Sequence, residues 1–277
     1  MGQKSNPNSF QKNTQIVFKY GDSSNISEYS TLFKENFSIL TALKFFFEKK
    51  RCLIKNCFVI VNNEKSFMTI FVSFFVLRRS LRSKLNNIKK ENVKKKKTIV
   101  PFAQKFLNVL NKFGYLCSKR LVLQNLNKIA LKQQKTRFFS NHSLLKKKFD
   151  LFKREIYFDS GLMLICLLKS TRKTSFLISK FIAFFFKMFH RTTKINKFLF
   201  FLTKFVEALG SLKFNDNCVK GIKIQIKGRF KGAPRSKIRL FSKGSIPLQT
   251  IISNIDYSLV HVQTSYGIFS IKVWIFE

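Results

Sequence analysis

The side chains of this chain that are best suited to chemistry are cations. Nine lysines and arginines stand between residues 220 and 243 of the 277-residue sequence. Ammonium and guanidinium groups pair with phosphate oxygens, and such contacts position a protein on a nucleic acid without reading its bases. We therefore expect these residues to bind nucleic acid. They are Lys220, Lys223, Lys227, Arg229, Lys231, Arg235, Lys237, Arg239 and Lys243.

Other cations stand outside this stretch. Arg191 and Lys194 are three residues apart, a spacing that places two side chains on one face of a helix, and His190 precedes them. Taken alone, this group binds RNA phosphate or faces solvent. A lysine run at residues 94–97 is equally well explained as a solvated charge run. Further candidates for RNA binding lie nearer the N-terminus. They are Lys4, Arg78, Arg79 and Arg82.

Catalytic chemistry has little support in the sequence. It contains no phosphate-binding glycine loop, no GxSxG, no HExxH and no usable pair of carboxylates, with 13 acidic residues and three histidines in all. His142 and His261 are expected to be ordinary surface or structural residues. The five cysteines form no CxxC pair, so we expect reduced, mostly buried thiols and no zinc site. The protein is predicted not to be an enzyme and to need no cofactor. The sequence leaves open whether the RNA binds structural magnesium.

The overall charge narrows the choice of partner. The formal net charge is +40 while 45% of the residues are hydrophobic, so the chain can fold but repels itself strongly. RNA would neutralise this charge through counterion release. An anionic membrane surface is the alternative. The uncharged stretch at residues 66–77 is shorter than the roughly 20 residues that span a bilayer, so no stable membrane insertion is expected.

The last quarter of the chain must position the nine cations. Isoleucines alternate with lysine and glutamine at residues 222–227, and similar alternation at 237–241, 256–264 and 271–276 predicts three more strands. Gly228 and Gly232 mark a turn, and Pro247 is typical of the first turn of a short helix. The pattern predicts a small sheet that packs on one face and is basic on the other.

The preceding segments have mixed patterns. Residues 30–50 predict a helix with a broad apolar face that includes Phe37 and Phe45, followed by strands at 52–61 and 66–77. Helical spacing recurs farther on. The residues with that spacing are Phe102, Phe106, Val109, Leu110, Phe113, Leu121, Leu123, Leu126 and Ile129.

The last quarter also resembles a known family. Its matching pieces run in order to the end of the chain, and the opening Met1-Gly2-Gln3-Lys4 with Asn6-Pro7 is similar to the family's usual start. These pieces resemble the C-terminal domain of the universal small-subunit ribosomal protein three family. They are Gly221-Ile222-Lys223, Gly228-Arg229, Gly232-Ala233, Gly244 with Pro247-Leu248 and Thr250, Asp256-Tyr257, Thr264 with Tyr266-Gly267, and Lys272-Val273-Trp274-Ile275-Phe276.

The resemblance implies an α+β fold. We expect an N-terminal arm at 1–30, the first part of a degenerate type II KH-like domain at 31–100, and a divergent basic helical region or insertion at 101–174. A C-terminal α/β domain with a small, mainly antiparallel sheet should occupy 175–277. Its residues 175–209 resemble the two helices that precede the sheet in the family. KH domains clamp nucleic acid with a GXXG loop. No two of the ten glycines here are three residues apart, so this KH-like half lacks the loop.

The resemblance also implies a function. The family is a structural part of the small ribosomal subunit that binds rRNA in the subunit head and lines the mRNA channel at its entrance. Residues 188–194 match the segment that supplies the channel cations, which places His190, Arg191 and Lys194 there. Implied partners are small-subunit rRNA, mRNA and ribosomal proteins two, ten and fourteen, with proteins four and five across the channel.

The composition indicates where such a ribosome would work. The 35 phenylalanines beside many lysines and asparagines are typical of an A+T-rich organelle genome. No transit peptide precedes the matched start, as expected for a protein translated inside the organelle. We expect a mitochondrially encoded, divergent form on a matrix ribosome, with a plastid as the alternative. The alternative function is a basic amphipathic membrane-surface or RNA-processing accessory protein.

Overall fold

The structure, a computed structural model, describes residues 26–61, 67–77, 118–129, 149–168, 174–192, 194–211, 219–250 and 252–276, with the single positions 7 and 108. The chain forms two compact units, which divide between residues 126 and 127. Most of the predicted polar arm, the region of the expected KH loop and the lysine run at 94–97 lie outside the described residues. None of the described helices combines the length and the apolarity that a membrane span requires.

The N-terminal unit begins with helix α1 (Ile26–Lys49), strand β1 (Cys52–Val61) and strand β2 (Phe67–Val76). β1 and β2 pair antiparallel. Ile39, Leu43 and Phe47 are spaced four residues apart, so they lie on one face of α1 and are fully buried against the sheet. The predicted helix and both predicted strands are confirmed.

The predicted apolar face of α1 is partly wrong. Phe37 and Phe45 are 63% and 72% exposed. They are eight residues apart and therefore share a face with each other, but that face lies away from the one that carries Ile39 and Leu43. The many phenylalanines of this segment made the predicted apolar face wider than the stripe of residues that packs against the sheet.

A third strand, β3 (Ser118–Asn125), pairs parallel with β2 and gives the sheet order β1–β2–β3. The helical spacing predicted for Leu121, Leu123, Leu126 and Ile129 is therefore wrong for residues 118–125. Only residues 126–129 form a helical turn. Leu121 and Leu123 are two residues apart, as they must be to share one face of a strand, and both pack beside the core.

The described part of the C-terminal unit includes the helices α2 (Phe158–Leu168), α3 (Ser175–Phe189) and α4 (Lys194–Ser211). The last two confirm the predicted helix pair. A fully buried tyrosine, Tyr157, is central to their packing, with its ring centroid 4.8 Å from that of Phe201, 5.1 Å from Phe198 and 5.9 Å from Phe185. The abundant phenylalanine thus forms a dense aromatic core beneath the sheet.

The sheet of this unit contains β4 (Gly221–Gly228), β5 (Lys237–Gly244), β6 (Ile255–Thr264) and β7 (Gly267–Phe276). All neighbours pair antiparallel in the order β5–β4–β7–β6, which confirms the predicted small antiparallel sheet and the α+β class. α3 packs on β6 and β7, and α4 on β4 and β5. The short helix predicted at Pro247 is wrong, because residues 245–250 are irregular with a bend.

Candidate nucleic-acid interface

Helix α3 lies along strand β6 and is held at both ends. At its start, the backbone N–H of Ser175 donates to Asp256 Oδ2 over 2.7 Å, at the beginning of β6. At its end, His190 and Arg191 bond to Ser265, just beyond the last residue of β6. The helix and the strand therefore run in the same direction, and the C-terminus of α3 lies beside the β6–β7 turn.

The turn between α3 and α4 contains the three cations that were predicted to line the mRNA channel. His190 Nδ1 is 2.9 Å from the Lys187 carbonyl oxygen, and Nε2 is 3.0 Å from Ser265 Oγ. Arg191 is exposed, and its Nε–H donates to the same hydroxyl over 3.1 Å. Lys194 is exposed at the first residue of α4. The three residues thus lie between the end of α3 and the first residue of α4.

The loop after β4 packs against the same end of the helix. Phe230 has its ring centroid 6.2 Å from Phe186 of α3 and 5.3 Å from Phe269 of β7. Gly232 has a φ of +76°, and a Cβ there would lie 3.2 Å from the ring of Tyr266. Tyr266 in turn packs edge-on to His190, with centroids 5.8 Å apart. These contacts bring the loop, the β6–β7 turn and the α3–α4 turn together.

We call this convergence the basic end, defined as residues 187–194, 229–235 and 265–266. Its lysines and arginines are all exposed, and its segments contain no carboxylate. Asp256, the one acidic residue between 219 and 276, lies at the opposite end of β6 on the N-terminus of α3. A group of exposed cations whose own segments contain no carboxylate is suited to binding phosphate. These cations are Lys187, Arg191, Lys194, Arg229, Lys231 and Arg235.

Comparison with known proteins bears on this region. The family model for the ribosomal protein S3 C-terminal domain matches residues 207–275, which include α4's end and the whole sheet. Residues 207–275 are thus similar to the C-terminal domain of ribosomal protein S3. His190 and Arg191 precede the matched residues. Their hydrogen bonds to Ser265 connect them to the matched domain.

Individual relatives match the same domain. The chain is 47% identical over 58 residues to small ribosomal subunit protein uS3 of Ligilactobacillus salivarius, covering 21% of this chain and 27% of that one. It is 48% identical over 58 residues to uS3 of Aquifex pyrophilus, covering 21% and 25%. It is 52% identical over 59 residues to uS3c of Spirogyra maxima, covering 21% and 27%. The matched part thus spans about a quarter of the length of these relatives.

The remaining predicted cations of the S3 domain do not share one surface. Residues paired in an antiparallel sheet have side chains on the same face. Arg239 pairs with Ile226 and Lys243 with Ile222, so these two cations lie at the edge of the helix-covered face. Lys223 and Lys227 alternate with those isoleucines and lie on the other face. The sheet is therefore basic on its outer face, as predicted, and also along its β5 edge.

Aromatic rings accompany two of these lysines. Lys223 Nζ lies 5.7 Å from the ring centroid of Trp274, on the outer face of the S3 domain sheet, and Lys220 Nζ lies 5.1 Å from that of Phe276. Lys237 is exposed at the start of β5, next to the basic end. The predicted residues Lys4, Arg78, Arg79 and Arg82 lie outside the described residues, so their role stays a prediction.

Sequence reasoning missed Ser265 as a site residue. Tyr266-Gly267 was recognised as part of the family pattern and as a turn, but nothing in the sequence placed this turn beside residues 187–191. The contact is made between residues 74 and 75 positions apart in the chain. The pairing of α3 with β6, which brings them together, is a tertiary feature without a local signal.

The described cysteines have the character expected of structural thiols. Cys52 and Cys166 are buried and Cys57 is half-buried, and none of the three is in a disulfide. Burial raises the pKa of Cys52 and of Cys57 to about 11, although Lys50 and Lys44 respectively oppose the shift. No three His, Cys, Asp or Glu side chains within the described ranges come close enough together to hold a metal ion.

Proposed function

We propose that this protein is a structural constituent of the small ribosomal subunit that binds rRNA through its C-terminal domain. The observation that carries the proposal is the basic end, an exposed group of cations without a carboxylate that is built on an S3 domain. The similar relatives are themselves named small ribosomal subunit proteins. Contacts of this kind would be made with phosphates and would depend strongly on salt.

Within that role, we assign His190, Arg191 and Lys194 to the mRNA channel at its entrance. Support comes from their shared turn and from the bonds that tie the first two to the matched domain. Cations at such a place would hold the backbone of the incoming message while the ribosome translocates. Any unwinding would be passive, because translation itself supplies the driving force and the chain has no nucleotide-binding loop.

The finer assignments are also part of this proposal. The ribosome would be mitochondrial, with a plastid as the alternative, because the phenylalanine-rich composition is typical of an organelle genome. Contacts with ribosomal proteins two, ten and fourteen, and with four and five across the channel, follow from the family resemblance. The N-terminal unit would be a KH-like domain without GXXG, supported by its helix followed by an antiparallel strand pair.

Sedimentation tests the ribosomal role. In magnesium the protein should migrate with the small subunit, and high salt should release it, because the main contacts would be ionic. Migration with membranes after the ribosomes have been removed would favour the accessory-protein alternative instead. Purification of ribosomes from isolated mitochondria and plastids would identify the compartment.

A double substitution tests the channel assignment. Arg191→Ala with Lys194→Ala should slow translation of messages with stable hairpins several-fold while assembly and translation of unstructured messages continue. Two lost phosphate contacts to a single strand should also lower the salt dependence of binding by about 1.4 in log–log slope. The matched control, Lys128→Ala with Arg154→Ala, removes two exposed cations of the same unit from elsewhere. Equal rates for both pairs on structured messages would eliminate the assignment.

A further inference from the structure

Ser265 lies at the centre of the basic end. Its hydroxyl oxygen is 3.0 Å from His190 Nε2 and 3.1 Å from Arg191 Nε, so one exposed serine contacts two of the three proposed channel residues. It belongs to the β6–β7 turn, whereas both of its partners belong to the end of α3. No property of an ordinary hairpin turn requires these contacts.

The directions of the hydrogen bonds follow from the chemistry of the atoms. The Lys187 carbonyl can only accept, so His190 Nδ1 carries a proton and donates to it over 2.9 Å. In the neutral imidazole, Nε2 then accepts, and the Ser265 hydroxyl donates to it. Arg191 Nε–H can only donate, and it donates to a lone pair of the same hydroxyl. The serine is therefore used as donor and acceptor at once.

This arrangement determines which part of Arg191 faces a ligand. A guanidinium group has five N–H donors in a rigid plane, and the two terminal nitrogens form the fork that pairs with phosphate. Ser265 engages the Nε–H and leaves that fork available. Arg229, in the neighbouring loop, is held in the same way, since its Nε–H donates to the Ala233 carbonyl over 2.8 Å. The basic end thus holds two arginines through Nε–H and leaves the terminal nitrogens for end-on pairing with phosphate.

We propose that Ser265 is a positioning residue of the RNA site: it fixes the Arg191 guanidinium so that the terminal nitrogens face the phosphodiester backbone of single-stranded RNA. This inference rests on the proposed channel function of Arg191. An arginine that is already fixed loses less side-chain freedom when RNA binds, and the corresponding gain in affinity is about two- to tenfold.

The test compares Ser265→Ala with Ser265→Thr in assembled small subunits. Alanine should slow translation of structured messages by about two- to tenfold, while threonine, which keeps a hydroxyl, should restore most of the rate. Ser265→Ala should have no added effect in the Arg191→Ala background, because the serine acts through that arginine. The matched control is Ser242→Ala, another exposed serine, on β5.

Nuclear magnetic resonance of the purified full chain gives a readout that does not depend on the ribosome. The Arg191 Nε–H signal, assigned with Arg191→Lys, should exchange more slowly in the wild type and in Ser265→Thr than in Ser265→Ala. Equal exchange in all three would overturn the inference. So would a strong effect of Arg191→Ala on structured messages together with wild-type rates for Ser265→Ala. If Arg191→Ala itself had no effect, the channel function would fail first.

Discussion

Removal of one buried oxygen should make the C-terminal unit more stable. The Tyr157 side chain is fully buried among aromatic rings, and its hydroxyl has no hydrogen-bond partner among the described residues. A buried polar group without a partner has lost its bonds to water and gained none in return. Tyr157→Phe keeps the ring and removes this group, so we expect the free energy of unfolding to rise.

The size of the effect follows from the same contacts. An unsatisfied buried hydroxyl costs about 1–3 kcal/mol, and the loss of close packing around the oxygen offsets part of that gain. A net increase of about 1 kcal/mol corresponds to a rise in Tm of about 2–4 °C for a unit of this size. By contrast, Tyr157→Ala should lower stability by about 3–5 kcal/mol, because the ring contacts with Phe198 and Phe201 are lost.

Alkaline pH should enlarge the difference between the two proteins. Burial raises the pKa of Tyr157 far above its usual value of 10.0, and the nearby Glu155 carboxylate raises it further. The phenol therefore ionises at a lower pH in the unfolded chain than in the folded one. The free energy of unfolding is unaffected by this proton below pH 10 and falls as the pH rises toward the folded-state pKa. Phenylalanine has no proton to lose, so the variant should be spared this decline.

The chain has a suitable probe for this measurement. Trp274 is its one tryptophan, is 6% exposed, and lies on β7 in the same compact unit as Tyr157. Urea unfolding followed by its fluorescence at pH 7 and at pH 10.5 reports the stability of that unit. A Tyr157→Phe protein that is less stable by 1 kcal/mol or more at pH 7 would show that the hydroxyl has a partner, and the reasoning would be refuted.

Three further predictions concern packing, helix capping and thiol reactivity. A Cβ on Gly228 would overlap the buried ring of Phe269, so Gly228→Ala should lower the free energy of unfolding by about 1–3 kcal/mol in the same urea assay. Asp256→Ala should lower the free energy of unfolding by about 1 kcal/mol because the Ser175 N–H loses its acceptor. Asp256→Asn keeps an acceptor oxygen and should retain most of that stability. Equal losses of stability in the two variants would contradict a capping role. Cys57, with its pKa raised to about 11, should be about 0.1% thiolate at pH 8 and react slowly with iodoacetamide, as peptide mass spectrometry would show; labelling as fast as that of free cysteine would contradict the burial.

The sequence predicted those elements whose pattern comes from one-sided burial. Ile222, Ile224 and Ile226 are fully buried and alternate with polar residues, so the strand pattern matched the structure. Helix α2 gave no such signal, because nearly every residue in it is buried and an evenly apolar helix has no periodicity. β3 was mistaken for a helix because the leucines at 121, 123 and 126 combine the two-residue spacing of a strand with the three-residue spacing of a helix, and the stretch is too short to distinguish them.

The candidate site was predictable in type and only partly in geometry. The identities of His190, Arg191 and Lys194 came from the family resemblance, and the exposure of Arg191 and Lys194 agrees with a binding role. The nine cations of the last quarter were predicted as one group, yet register places Arg239 and Lys223 on opposite faces of the sheet. Strand pairing decides which face a residue occupies, and a one-residue shift would reverse the assignment.

The position of the basic end follows from the direction of α3 as well as from the number of lysines. A helix carries partial positive charge at its N-terminus and partial negative charge at its C-terminus. The Asp256 carboxylate accepts a hydrogen bond at the first end, and Lys187 and Arg191 lie at the second, so both ends have side chains of the favourable sign. Because α3 and β6 run in the same direction, the strand separates the carboxylate from the cations by its own length, about 30 Å at roughly 3.3 Å per residue. That separation keeps the Asp256 carboxylate away from the basic end, whose own segments contain no acidic residue, so its cations are available to phosphate.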